Sequence, residues 1–132
     1  MSNPTIAELL AGKGNAYLRA EASPDGRHAI MIEEDEVSNG HWVARAALYT
    51  MPDEELVAPI GIDSWSTGRV TWAADGGSVF VELWRYPGDV PGVTVEIDLN
   101  RRSTRIAGGT ELPLTRLTAA LEANYFSRGG RG

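Results

Sequence analysis

The chain contains no cysteine, which removes disulfide frameworks, thiolate metal sites and cysteine nucleophiles in one step. Stability must therefore come from packing. Only two histidines are present, His28 and His41, so histidine-based catalysis or a zinc site would have to use one of these imidazoles. No stretch approaches the ~20 apolar residues of a membrane helix. The first twelve residues lack the basic and apolar regions of a secretory signal. Cytoplasmic residence without membrane contact is the expectation. Positive charge is also the minority: 12 Lys and Arg face 18 Asp and Glu, a net charge of −6. That balance repels phosphate backbones and argues against a nucleic-acid partner, while it suits a basic protein.

What is present describes a folded domain. At 132 residues with 42% apolar and 23% charged content, the chain can bury one ordinary core and is too short for two. Asn3-Pro4-Thr5-Ile6-Ala7-Glu8 offers a cap, a first-turn proline and a Thr-x-x-Glu spacing that resembles a capping box. A short helix within residues 1–14 follows. From Ala16 to Gly109 the composition turns β-branched and aromatic, broken by turn dipeptides. After Pro113, Leu114, Leu117, Leu121 and Tyr125 recur at three and four residues, predicting a helix within 112–126. Residues 127–132 read as a tail.

The β region repeats. Asp25-Gly26 returns as Asp75-Gly76, an offset of fifty residues. At the same offset and without a gap, Arg19 meets Arg69, Val43 meets Val93, Tyr49 meets Leu99, and Leu56 meets Ile106. Four short strands with their turns take ~40 to 50 residues, which matches one supersecondary unit per period. The first unit, 16–61, is expected to hold strands near 17–22, 28–33, 42–50 and 55–60. The second, 66–110, is expected to hold them near 69–73, 78–85, 93–99 and 103–107. Asp-Gly supplies the positive φ of a tight hairpin, so each unit reads as an antiparallel meander. The second strands are almost continuously apolar and read as buried on both faces, whereas Val93 to Leu99 alternates and reads as wet on one face. The fold class is mainly β: two tandem four-stranded antiparallel meanders with short N- and C-terminal helices.

The segments Ser23-Pro24-Asp25-Gly26 and Ala73-Ala74-Asp75-Gly76, with their flanking strands, resemble blades of the β-propellers related to TolB and to the prolyl oligopeptidases. That resemblance implies a scaffold for binding proteins more than catalysis. Closed propellers need at least ~4 blades, and two must hide their open faces otherwise. A ring of copies, terminal helices as caps, and two sheets packed as a sandwich all remain open.

Few groups suggest chemistry. His28 opens the second strand and His41 precedes the third, ~20 Å apart at ~3.3 Å per residue, so they form no shared site. The run Glu33-Glu34-Asp35-Glu36 ends a strand, and Asp53-Glu54-Glu55 lies in a loop. Both read either as solvated loops or as an acidic surface that steers a basic partner. Neither has the spacing of a calcium loop. Among the aromatics, Trp72 reads as core, and Trp65, Trp84 and Tyr86 sit near loop ends, where aromatics anchor interfaces. The expectation is a non-catalytic protein-binding module without metal or cofactor, such as a small acidic inhibitor or immunity-type protein. Its binding set would be Glu33, Glu34, Asp35, Glu36, Trp65, Trp84 and Tyr86, and homo-oligomers remain open. The alternative is a small-molecule site between the two units, lined by Trp65, Trp84 and Arg85.

Overall fold

The computed structural model describes residues 5–12, 18–38, 40–60, 65–85 and 92–123. Helix α1 is Ile6–Leu10 and starts with the expected capping box. The Thr5 hydroxyl accepts from the Glu8 amide at 3.0 Å, and the Thr5 amide donates to the Glu8 carboxylate at 2.7 Å. Among the described residues nine strands follow: β1 Leu18–Ala22, β2 His28–Ser38, β3 His41–Thr50, β4 Leu56–Ile60, β5 Trp65–Trp72, β6 Ser78–Arg85, β7 Val93–Asp98, β8 Ser103–Ile106 and β9 Leu112–Pro113. A 3₁₀ turn, Leu114–Arg116, leads into α2, Leu117–Leu121. Sheet 1 has the order β1-β2-β3-β4 and sheet 2 the order β5-β6-β7-β8-β9. Every pairing is antiparallel between sequential strands, as expected of two meanders. The one added strand, β9, is two residues long and pairs with β8.

The Asp-Gly turns share the same backbone hydrogen bonds and the same aspartate-to-amide bond. The Ser23 amide donates to the His28 carbonyl and the Gly26 amide to the Ser23 carbonyl, and at fifty residues on Ala73 repeats this with Ser78, and Gly76 with Ala73. The Asp25 carboxylate accepts from the Arg27 amide, and the Asp75 carboxylate from the Gly77 amide. Only Gly26 and Gly76 take positive φ, +74° and +76°, while neither aspartate does. The turns are thus one left-handed glycine wide rather than the tight two-residue type. Beyond the turns the gapless offset ends. Ala29 faces Tyr49 and Val79 faces Ile97, so Tyr49 corresponds to Ile97, not Leu99. The offset has fallen by two residues between the second and third strands.

Sheets 1 and 2 share one core. Ile30, Ile32, Ala46, Leu48, Ala58 and Ile60 of sheet 1 cluster with Val79, Val81, Leu83, Val93, Val95 and Ile97 of sheet 2, and Leu114, Leu117 and Leu121 close it. The predicted helical face is therefore buried up to Leu121, and Tyr125 lies outside the described residues. Strands β3 and β5 run in contact, and the Ala44 amide donates to the Ser66 hydroxyl at 3.0 Å. At the far end of the sheets the first turn touches the second: a Cβ on Gly76 would stand 2.6 Å from Asp25 Cγ. Helix α1 packs against β1, and its buried Ile6 and Leu9 lie outside the shared core.

One expectation about burial holds and one changes. Strand β7 alternates as read, with Val93, Val95 and Ile97 buried. Strand β6 does not hide both faces: Val79, Val81 and Leu83 are buried, but Phe80 and Trp84 are exposed. The faces used by the two sheets also differ. Sheet 1 turns Ile30 and Ile32 inward, whereas sheet 2 turns in Val79 and Val81, which correspond to Ala29 and Met31. The meanders therefore meet head to tail, not by matching faces as a two-fold sandwich would.

Candidate functional site

The acidic run is strand, not loop. Asn39-Gly40 is an Asn-Gly hairpin signal, and Gly40 takes φ +85°, so β2 continues through the carboxylates to Ser38. Glu33 then faces Arg45, Glu34 faces Ala44, Asp35 faces Val43 and Glu36 faces Trp42. Strand β1 pairs with β2 only as far as Glu33, and β4 pairs with β3 only from Ala46 on. Among the described residues, the acidic end of the hairpin thus runs past both neighbouring strands of its sheet.

Alternation sorts this end into two faces. One carries Glu33, Asp35 and Arg45, where the Arg45 guanidinium lies 3.8 Å from the Asp35 carboxylate. Both partners are well solvated, so this pair adds little stability. The other carries Glu34, Glu36 and Trp42. Trp42 is 48% exposed directly across from Glu36, whose carboxylate accepts the Gly40 amide at 2.6 Å. An exposed indole flanked by two carboxylates can hold a guanidinium or ammonium by ring contact and charge together. Trp42 is the site residue that reasoning from loop ends passed over. The Asn-Gly turn was the signal that could have found it, because it fixes Trp42 opposite Glu36.

The expected aromatic set separates. Trp65 is 1% exposed and belongs to the shared core, so it packs the two sheets together instead of meeting a partner. Trp84 is 45% exposed on the outward face of sheet 2, on the other sheet from the acidic hairpin. Tyr86 lies outside the described residues. Trp72 is partly buried against the core. The side chain of Arg85 is likewise not described. The space between the sheets, where a ligand would sit in the alternative reading, is filled by the apolar side chains of the core.

The two histidines stand at opposite ends of one hairpin: His28 faces Thr50, and His41 faces Ser38. Ten residues of strand put them ~33 Å apart, farther than the sequence suggested because β2 is longer. His28 sits by the seam of the turns. Its Nδ1 is buried without a hydrogen-bond partner, and burial pushes the imidazole below its ordinary pKa of 6.5. Asp25 opposes that shift, and Arg102 and Arg27 add to it. The Ser23 hydroxyl, then the Arg27 amide, hold the Asp25 carboxyl below the usual carboxylate range. These groups lock a turn. A shallow polar groove of about 200 Å³ lies along β7 and β8, where Arg101 meets Glu111 at 3.1 Å and the Ser103 hydroxyl donates to Glu111 at 2.6 Å.

Charge is divided between the halves. Residues 1–64 hold 4 basic and 11 acidic side chains, net −7, and residues 65–132 hold 8 and 7, net +1. Among the described residues, no three His, Asp or Glu side chains gather as a metal site, and no helix is long and apolar enough to cross a membrane. Comparison with protein-family models, with curated proteins and with solved structures finds no match.

Proposed function

We propose that the chain is a non-catalytic protein-binding module that grips a basic surface with the acidic end of its β2–β3 hairpin. It would act as a small cytoplasmic inhibitor of the immunity-protein kind. The observation that carries this reading is Trp42, exposed beside Glu34 and Glu36 on one face of a hairpin that, among the described residues, runs past its neighbouring strands. A net −7 in the first half would draw a basic partner in from a distance, and salt would weaken that attraction. Trp42 would supply the desolvated anchor that turns encounter into binding.

The test is co-purification of partners with the tagged chain, compared with a Glu34→Lys/Glu36→Lys variant and with Trp42→Ser. The expected result is a basic protein retained by the parent chain, released by rising salt, and lost from both variants while their circular dichroism is unchanged. Retention by the charge-reversed variant equal to that of the parent would refute the reading.

A further inference from the structure

We propose that the outward face of sheet 2 is a self-association surface, on which a second copy of this chain docks by the same face to close a two-fold dimer. The inference starts from the head-to-tail contact of the two meanders. Phe80, Glu82 and Trp84 correspond at fifty residues to Ile30, Ile32 and Glu34, and Ile30 and Ile32 are residues that sheet 1 buries against sheet 2. Among the described residues, sheet 2 therefore leaves partly exposed the face by which its counterpart takes a neighbouring sheet. Phe80 is 40% exposed there, on the same face as Trp84.

The surface is shaped for a flat contact. A side chain at Gly68 would collide with the six-membered ring of Trp84, and one at Gly92 would come within 2.6 Å of its Nε1. The indole thus lies down across β6, between the Gly68 bulge of β5 and the start of β7. Around it stand Arg69, Arg105, Glu82 and Glu96, two charges of each sign, with Thr71 and Thr94. Docking by this face brings together the near-neutral halves of two molecules and keeps apart the halves of net −7. Such docking adds less repulsion than contact between the two acidic halves would.

Helix α1 decides between a closed dimer and an endless stack. The counterpart of the inward face of sheet 2 is the other face of sheet 1, and α1 lies against β1 there, away from the shared core. A head-to-tail neighbour has no flush seat, so the free face meets only its own kind, which gives a closed two-fold pair. Four strands ~4.8 Å apart and about seven residues long at ~3.3 Å make a face of about 440 Å². Two such faces bury about 900 Å², below the ~1,200 Å² of stable standard interfaces. The pair is accordingly weak and forms at high concentration.

Sedimentation equilibrium of the full chain from 1 µM to 1 mM tests this. The mass is expected to rise from 14.2 kDa toward twice that value. Phe80→Lys and, separately, Thr94→Arg each weaken association by ~tenfold or more, as truncating a central contact does. Thr94 is exposed, so that variant reads the surface even where Phe80→Lys perturbs the fold. The hairpin variant Glu34→Lys/Glu36→Lys does not weaken association, which separates this surface from the proposed partner site. A monomer at all concentrations, growth past the dimer, or dimerisation untouched by both surface variants would each overturn the inference.

Discussion

Replacing Gly76 by alanine costs more than replacing Gly26, although the two sit at the same place in matching turns. Their φ angles are +76° and +74°, so either alanine takes on left-handed backbone, at about 1–2 kcal/mol. A Cβ on Gly26 meets nothing within 4 Å, and the backbone cost is the whole cost. A Cβ on the buried Gly76 stands 2.6 Å from Asp25 Cγ and 2.7 and 2.9 Å from its oxygens. That carboxylate has a short stem and is held by the Ser23 hydroxyl at 2.5 Å and the Arg27 amide at 3.2 Å, so it cannot swing aside freely. Forcing a methyl into such a place costs about 1–3 kcal/mol more. Gly76→Ala should lose about 2–5 kcal/mol in all. Urea unfolding followed by tryptophan fluorescence reads the difference. With a slope of ~2 kcal/mol per molar, a 2 kcal/mol gap between the variants separates their midpoints by ~1 M. In an Asp25→Ala background, which itself loses the carboxylate's bonds with Ser23 and Arg27, Gly76→Ala should cost little more than its backbone strain. Equal midpoints for the two glycine variants would refute the contact between the turns, as would a Gly76→Ala cost as large without Asp25 as with it.

Three further outcomes follow from the same packing. Leu117→Ala, at a fully buried position in the core shared by both sheets, should cost about 2–5 kcal/mol in the same unfolding assay. Glu54→Ala removes the carboxylate that accepts the Ile6 amide at 2.9 Å. It should speed hydrogen exchange of the α1 amides by ~5- to 10-fold, about 1 kcal/mol, with little effect on the amides of β6 and β7. Stability should also fall with acid. Because burial lowers the His28 pKa in the fold, the unfolded chain takes up its proton first, near 6.5. Stability therefore declines as pH falls below that value and through the lower folded pKa. The lowered Asp25 carboxyl contributes stability above its unfolded pKa, and this is lost in a second, more acid window. His28→Gln should remove the first decline and keep the second. A parent chain equally stable at pH 7 and pH 5 would count against the lowered imidazole pKa.

Fold class was legible because it depends on features that act locally. Glycine at the left-handed position of each Asp-Gly turn, alternation along β7 and the leucines from 114 to 121 each determine their own segment without help from the rest. What escaped were quantities set between segments. The offset of fifty holds from each Asp-Gly turn to Ala20 and Met31 and to Val70 and Val81, slips by one at the β5 bulge, and falls to 48 at Tyr49 and Ile97, since bulges and changes in connections leave the strand patterns intact. The exposed face of β6 escaped for a related reason. An apolar run such as Val79-Phe80-Val81 shows that a strand can be covered on both sides, and only the assembled sheets show that one side has no cover.

The site was legible by residue type and hidden by geometry. Four consecutive carboxylates suggest a loop, because like charges repel in a compact chain and strands favour other residues. Pairing with β3 removes that objection by alternation: Glu33 and Asp35 go to one face with Arg45, and Glu34 and Glu36 go to the other with Trp42. Repulsion is then spread over two surfaces, and a run that looked like plain solvation becomes an edge with chemically distinct sides. Only one side joins carboxylates to an exposed aromatic. Charge reversal at Glu34 and Glu36 should therefore harm partner binding more than reversal at Glu33 and Asp35, although all four contribute equally to net charge. A binding loss that followed net charge alone, whichever pair was changed, would reduce the hairpin to long-range attraction and remove Trp42 from the site.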